Sequence, residues 1–363
     1  MQNIALFVYS AFISTVFIGF IAISAYPLFS KKENVKFKRS LTQSVLVILP
    51  CKGIDLTLNE NILSLKKQSY KTFKLIGVVD SNLDHAVKYL RAAGIEYIIS
   101  RKYKGFSGSG KVKAIATAID KFKSYKICVI ADSDVLFSND WLDELLKPLQ
   151  DKRYGISTAY PLFKPVGGFW SYVKMVWSFV GDGLMELEFT RFGWGGSLAF
   201  KRNLLRGKNY NDFKNSISDD IPITQFAKKQ NLKIYYVNKH VATVNSNDNF
   251  RKFFEWSNRQ TALSILGNRR IFWMGLAFYL FNFILLISGI ILSVYISYIF
   301  IALFAPFFIG LYKTYLKANR FEPMLIAYYF IANITYIINL LVAKRMKTIK
   351  WRGGTYSLNQ DRD

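Results

Sequence analysis

The sequence predicts an α/β domain built on a largely parallel sheet, with membrane helices at its N-terminal and C-terminal ends. From Ser44 to Asp134, short apolar runs alternate with amphipathic stretches of helical period, the pattern of βαβ units. Ahead of this, residues Ile4 to Phe29 are almost uncharged and long enough to cross roughly 30 Å of hydrocarbon. The final third carries three further apolar stretches, at 271–292, 294–312 and 323–343.

Taken in order, the first apolar run precedes a basic stretch, Lys31 to Arg39. A secretory signal carries its positive charge before the apolar run, so this one reads as an anchor. The positive-inside rule then puts Lys31 onward in the cytoplasm. Strands are expected at VLVILP (45–50), FKLIGVVD (73–80), EYIIS (96–100) and YKICVIADSD (125–134), with helices near 59–68, 83–93 and 111–123. Ligands of such sheets sit beyond the carboxyl ends of the strands, where Asp80 and the cluster at 132–134 fall. The chain divides into an anchor (1–30), an α/β domain (31–248), an interfacial helix region (249–270), membrane helices (271–343) and a basic tail (344–363). Counted simply, four crossings put that tail outside the cytoplasm, against the positive-inside rule. Either the rule fails here or one segment is re-entrant or interfacial.

Composition narrows the chemistry. Lys plus Arg outnumber Asp plus Glu by 49 to 24, a formal charge of +25 that attracts phosphate-rich partners: nucleic acid, anionic lipid or nucleotide sugars. The charges cluster beside the apolar segments (Lys31, Lys32, Lys36; Arg269, Arg270; Lys344, Arg345, Lys347), which favours membrane anchoring over a nucleic-acid stripe. Cys51 and Cys128 are the two cysteines, both in apolar runs, so neither a disulfide framework nor a thiolate metal site is expected. With two histidines, His85 and His240, acid–base chemistry falls to carboxylates.

The strongest local signal is Asp132-Ser133-Asp134 at the end of an apolar strand. Carboxylates at i and i+2 project to one side of an extended chain and can face one divalent cation. Hard oxygen ligands suit Mg2+ or Mn2+, which also bind a diphosphate. A solvated turn is the plain alternative. Asp80 closes its own strand in a similar place, where it can equally cap the following helix. Gly105-Phe-Ser-Gly-Ser-Gly110-Lys111-Val112 nearly satisfies P-loop spacing, but Val112 stands where Ser or Thr holds magnesium, and the charged RKYK separates it from the strand. It reads as a phosphate-adjacent turn.

The order of motifs resembles the family 2 and family 21 glycosyltransferases, in particular the ceramide glucosyltransferase-like membrane enzymes. The resemblance runs through VLVILPCKG, LIGVVDSN, ADSDV, GWGGSLAFKR, SISDDIPIT, an aromatic segment ending in NRQ, the C-terminal apolar helices and IKWRGGTYSL. It implies a GT-A (nucleotide-diphospho-sugar transferase) fold. It also implies inverting, metal-dependent transfer of a sugar, glucose from UDP-glucose, to a lipid hydroxyl at the cytoplasmic face of the cell membrane, without a nucleic-acid partner.

Residue by residue, the resemblance gives Asp80 the nucleotide's base or ribose, and gives Asp132 and Asp134 the diphosphate and its metal, Asp134 being the direct ligand. Lys111 approaches the donor phosphates, and Asp220 is the catalytic base with Asp219 beside it. An inverting transfer needs such a base within hydrogen-bond reach of the acceptor hydroxyl. Read alone, SxxDD is also a helix N-terminus with favourable acids. Relatives carry Arg-Trp on an interfacial helix; here Glu255 replaces the arginine before Trp256, Arg259 is the substitute charge, and Lys252 is a weaker candidate. Gly193, Gly195 and Gly196 let backbone approach a sugar closely. Trp351, Arg352 and Tyr356 are expected to fold back over the donor, with Gly354 where relatives have another arginine. In GGFWSYVKMVWSFVGDGLM (167–185), aromatic residues recur at near-helical spacing around Lys174. An interfacial helix there would present Trp170 and Trp177 to the lipid acceptor, with a core helix as the alternative. Two rival functions remain: transfer to a polyprenyl phosphate, whose acceptor needs no strong base, and a membrane nucleotide-binding module without transferase activity.

Overall fold

The structure is a computed structural model that describes residues 14–26, 44–319 and 322–358. The first described segment is helix α1, Ser14–Tyr26, the middle of the expected anchor; the rest of the anchor and the basic run at 31–39 lie outside the described residues. The α/β domain begins with β1 (Val45–Pro50), α2 (Leu58–Lys66), β2 (Phe73–Val79), α3 (Ala86–Ala92), β3 (Tyr97–Ile99), α4 (Gly110–Lys121) and β4 (Ile127–Ala131). These are the elements expected from the sequence, each within a few residues of its expected bounds. β1 is fully buried from Val45 to Ile48, because a parallel strand covered on both faces must be apolar throughout.

The second half departs from simple βαβ repetition. β5 (Val135–Phe137), α5 (Trp141–Leu146), β6 (Tyr154–Thr158), β7 (Leu162–Gly167), α6 (Phe169–Glu186), β8 (Ser197–Lys201), α7 (Lys208–Lys214), α8 (Asp220–Lys229), β9 (Lys233–Tyr236) and β10 (Ala242–Asn247) follow. The main sheet has the order β3-β2-β1-β4-β8-β6-β9, and β5, β10 and β7 form a separate three-stranded sheet. β1, β2, β3 and β4 are parallel, whereas β8 runs antiparallel to both β4 and β6. Because the chain builds outward from β1 to β3 and then returns to add β4 on β1's other side, a crevice opens beyond the carboxyl ends of β1 and β4. In such sheets that switch point is where ligands bind.

After β10 the chain forms α9 (Phe250–Gly267), α10 (Arg270–Tyr295), a 3-10 segment (Tyr298–Phe304) continuing into α11 (Ala305–Ala318), α12 (Met324–Arg345), and a hairpin of β11 (Thr348–Trp351) and β12 (Gly354–Ser357). Three of these helical stretches are long and apolar enough to cross a membrane: 270–295, 298–318 and 324–345. The second begins and ends later than the apolar run at 294–312. Its start is later because α10 extends to Tyr295, and Pro306 fits the first turn of α11 where the 3-10 segment gives way to α-helix. At the other end Lys313 and Lys317 interrupt the apolar run without interrupting the helix. α6, the aromatic helix after Gly168, is a core helix along one face: Val173, Met175, Val176 and Trp177 are buried in a cluster with Phe253 of α9 and Leu325, Tyr336 and Leu340 of α12.

Candidate active site

Three strand ends and one helix start build the cleft. It is lined by Pro50 to Lys52 after β1, Val78 to Asp80 at β2, Asp132 to Asp134 after β4, Gly110 and Lys111 at the start of α4, and Trp351, Arg352 and Tyr356 from the tail. Asp132, Ser133 and Asp134 do not continue the strand; they form the turn between β4 and β5, with Val135 N–H donating to the Asp132 carbonyl at 3.3 Å. The two carboxylates therefore share the cleft because the chain turns there, and strand alternation plays no part.

Lys111 is the electrostatic centre. Its ammonium lies 2.7 Å from Asp132 Oδ1 and 3.1 Å from Asp219 Oδ2, and it donates to the Gly195 carbonyl at 3.2 Å. The contact to Asp219 is an ion pair without hydrogen-bond geometry, since that oxygen is buried with no hydrogen-bond partner among the described residues. α4 is aimed at the cleft by its N-cap, Ser109, whose hydroxyl accepts from Val112 N–H at 3.2 Å. Burial works against the Lys111 charge, but Asp132 and Asp219 outweigh it and hold the ammonium above its usual range. Burial raises the Asp132 carboxyl, Lys111 opposes this, and Asp134 and Asp219 add to it, leaving Asp132 at about 7. Asp134 is pushed up by burial and then by Asp55.

Asp220 opens α8. Its Oδ2 accepts from Gly195 N–H at 3.1 Å and its Oδ1 from the Ser218 hydroxyl. Burial and then the neighbouring Asp219 raise its carboxyl above the ordinary range, against the opposing Ser218, Lys111 and Gly195 contacts. Gly195 is required by close approach: a Cβ there would lie 2.4 Å from Asp219 Oδ2. Asp80, on the cleft's far side, accepts from Ser100 Oγ at 2.8 Å and pairs with Lys113 at 3.0 Å and Lys52 at 3.4 Å. Burial acts to raise it, but the bonds from Lys113 and Ser100 prevail and keep it below the usual carboxylate range.

The tail hairpin folds over this cleft. Arg352 takes a left-handed conformation (φ 48°) at the hairpin turn, where it donates to the Lys52 carbonyl and to Asp55 Oδ1, both at 2.6 Å. Tyr356 OH accepts from Gly110 N–H at 3.4 Å. A Cβ on Gly354 would lie 2.3 Å from the Tyr356 hydroxyl, so a larger side chain there would require the Tyr356 ring to move. With the hairpin in place, the cleft retains a cavity of about 90 Å³, well below the roughly 300 Å³ at the lower end of small-molecule sites.

The other expected residues are not in the cleft's lining. Arg259 on α9 sits within the fields of Asp134 and Arg352, and burial brings it down to about 10, still protonated. Trp256 is 4.6 Å from the ammonium of Lys174, which pairs with Asp248 at 2.9 Å. Glu255 instead points outward to Arg251 at 3.0 Å, and Lys252 is exposed. Trp170 and Trp177 do not line the cleft. Trp170 stacks on Phe253 at 5.6 Å, and Trp177, 6% exposed, donates to Asn339 Oδ1 at 3.0 Å. The sequence reading missed Asp55, which accepts from Ser133 Oγ at 2.5 Å and so ties the acidic turn to the tail arginine. Its only sequence signal is its place just after the first strand.

Among the described residues, no group of three His, Cys, Asp or Glu side chains could hold a metal. Asp132 and Asp134 still fit a divalent ion, because their oxygens are hard ligands and Mg2+ in phosphate sites takes one or two carboxylates, completing its shell with substrate oxygens and water.

No curated protein matches the chain by sequence. Among solved structures, a mannosyltransferase from Pyrobaculum calidifontis in complex with GDP-Man and Mn2+ superposes with a TM-score of 0.50 at 14% identity, covering 91% of this chain and 95% of that one. Glucosyl-3-phosphoglycerate synthase from Mycobacterium tuberculosis, in complex with Mn2+ and UDP-glucose, has a TM-score of 0.42 at 15% identity, covering 69% and 82%. The first likeness shows the GT-A fold. The profile of Glycosyl transferase family 21 matches residues 9–363, and the chain accordingly belongs to that family and is a glycosyltransferase.

Proposed function

We propose that the protein transfers a sugar, with inversion, from a nucleotide sugar to the hydroxyl of a lipid at the cytoplasmic face of the cell membrane, using Mg2+ or Mn2+. The observation that carries the reading is the meeting of Asp132, Lys111, Asp219 and Asp220 in one connected site, with Asp80 across the cleft. Asp80 takes the nucleoside. Asp132 and Asp134 hold the ion, which when bound neutralises the donor diphosphate, and Lys111 adds charge to the same phosphates. Asp220, anchored by Gly195 and Ser218, takes the acceptor proton. Its raised proton affinity suits a general base better than an ordinary carboxylate would. Arg352 and Trp351 close over the donor once the hairpin has moved aside to admit it. UDP-glucose is the donor that family membership favours, and the apolar helices packed beside the site favour a lipid acceptor.

Extracted membrane lipid incubated with Mn2+ and radiolabelled UDP-glucose, or other nucleotide sugars in turn, tests this: label is expected in the organic phase. The rival acceptor, a polyprenyl phosphate, is already ionised. Asp220→Asn is therefore expected to abolish transfer to a hydroxyl, whereas a phosphate acceptor would retain most of its rate.

A further inference from the structure

We infer that the C-terminal block meets the bilayer from one side only: α12 lies along the membrane interface against the catalytic domain, and the segments between α9 and the tail cross an even number of times. The inference concerns how the protein sits in lipid and does not depend on the choice of donor or acceptor.

At 22 residues α12 is about 33 Å long, using ~1.5 Å per residue, enough to cross. Its contacts place both of its ends on the catalytic side. In its first turns Tyr328 rests on Phe169 and Tyr172 at the start of α6, 5.2 Å between ring centres in each case. At its middle Tyr336 meets Trp177 at 5.4 Å. Near its end Asn339 accepts from Trp177 and donates to Asn258 Oδ1 of α9 at 2.7 Å. α6 itself is fixed to the catalytic domain by the Lys174–Asp248 pair, so α12, which meets the first half of α6 from Tyr328 to Asn339, stays beside that domain over this length. The burial agrees, since 39% of α12's most apolar window is covered, against 11% for α10 and 17% for the 298–318 stretch.

The segments on either side complete the argument. α10 leaves from α9, on the catalytic side, and α11 is back there by Lys317, whose ammonium is 2.5 Å from Asp182 Oδ2 and 3.1 Å from Glu186 Oε1 of α6. Past α12 the tail reaches the cleft, where Arg352 pairs with Asp55. A chain that starts and finishes on one face has crossed an even number of times. This removes the conflict with the positive-inside rule, because Lys344, Arg345 and Lys347 then share a side with the catalytic domain.

Cysteine labelling in the full-length protein tests it, with Cys51 and Cys128 silent because both are buried. Lys67→Cys, Met324→Cys and Lys350→Cys occupy exposed positions in the catalytic domain, at the start of α12 and in the tail. Sealed membranes are treated with a membrane-impermeant maleimide supplied to one face and then to the other. All three are expected to react from the same face, more than tenfold faster than from the opposite one. Lys350→Cys reacting from the face opposite Lys67→Cys overturns the even count. Met324→Cys reacting from the opposite face, or from neither, removes α12 from the interface. Sugar transfer does not enter the readout, so these results stand apart from the reaction proposed above.

Discussion

Gly195→Ala is the substitution whose effect follows most directly from the geometry. The backbone at Gly195 lies outside the left-handed region, so alanine adds no conformational strain and acts only through its methyl group. That carbon would lie 2.4 Å from Asp219 Oδ2 and 2.9 Å from Asp219 Cγ, close to 1 Å inside ordinary contact. Asp219 cannot swing freely, because Lys111 holds it, so the Gly195 loop must shift, and with it the N–H that positions Asp220. A displacement of about 1 Å at a reacting group costs on the order of 10²-fold in rate, which is about 2.7 kcal/mol of transition-state stabilisation. The expected outcome is a kcat lowered about 10²-fold with donor affinity changed no more than a few-fold, read by initial rates of label transfer and by equilibrium binding of the nucleotide. Gly183→Ala, where a Cβ meets nothing within 4 Å, is the control and leaves both values unchanged. Gly195→Ala retaining a third or more of the wild-type kcat would refute the reasoning.

Asp134→Ala is expected to lose metal-stimulated transfer, with a milder loss for Asp132→Ala, and excess chelator should silence the wild type; full turnover in chelator contradicts the metal assignment. With Asp132 raised to about 7 in the metal-free protein, the ion must displace a proton below that pH. Apparent Mn2+ affinity measured by titration calorimetry should hold above pH 7 and fall by up to about tenfold per unit below it; a flat profile between pH 5 and 8 counts against this. Trp177→Ser opens a cavity between α6, α9 and α12 and leaves Asn339 Oδ1 without its donor. It is expected to cost about 3–5 kcal/mol, seen as a lowered unfolding temperature in detergent, and an unchanged transition would show that α12 is docked by other contacts.

The first four strands and the helices between them were legible because a sheet buried on both faces imposes continuous apolar runs, and those runs stand out against charged helices. The cleft was legible for a related reason, since Asp80 and the acidic turn that line it fall at the ends of those runs. The conformation of the turn was not: Asp132 and Asp134 share a side through a chain reversal that alternating polarity does not encode. Asp55 escaped notice because its two partners, Ser133 and Arg352, are brought to it only by tertiary folding. In α6 the spacing revealed a helix with an apolar face. Which surface that face meets depends on α12, more than 150 residues later, so Trp177 read as lipid-facing when it is buried between helices. The topology was illegible for the same reason: hydropathy identifies helices long enough to cross, but only their contacts tell whether both ends lie on one side.

The central claim is that Asp220 deprotonates a lipid hydroxyl while Asp80 and the metal hold the donor independently of it. Asp220→Asn, assayed in parallel for nucleotide-sugar binding with Mn2+ and for single-turnover transfer to extracted lipid, tests this most directly. The account predicts donor affinity within a few-fold of wild type and a transfer rate reduced at least 10²-fold, whereas near-normal turnover with intact binding would contradict it.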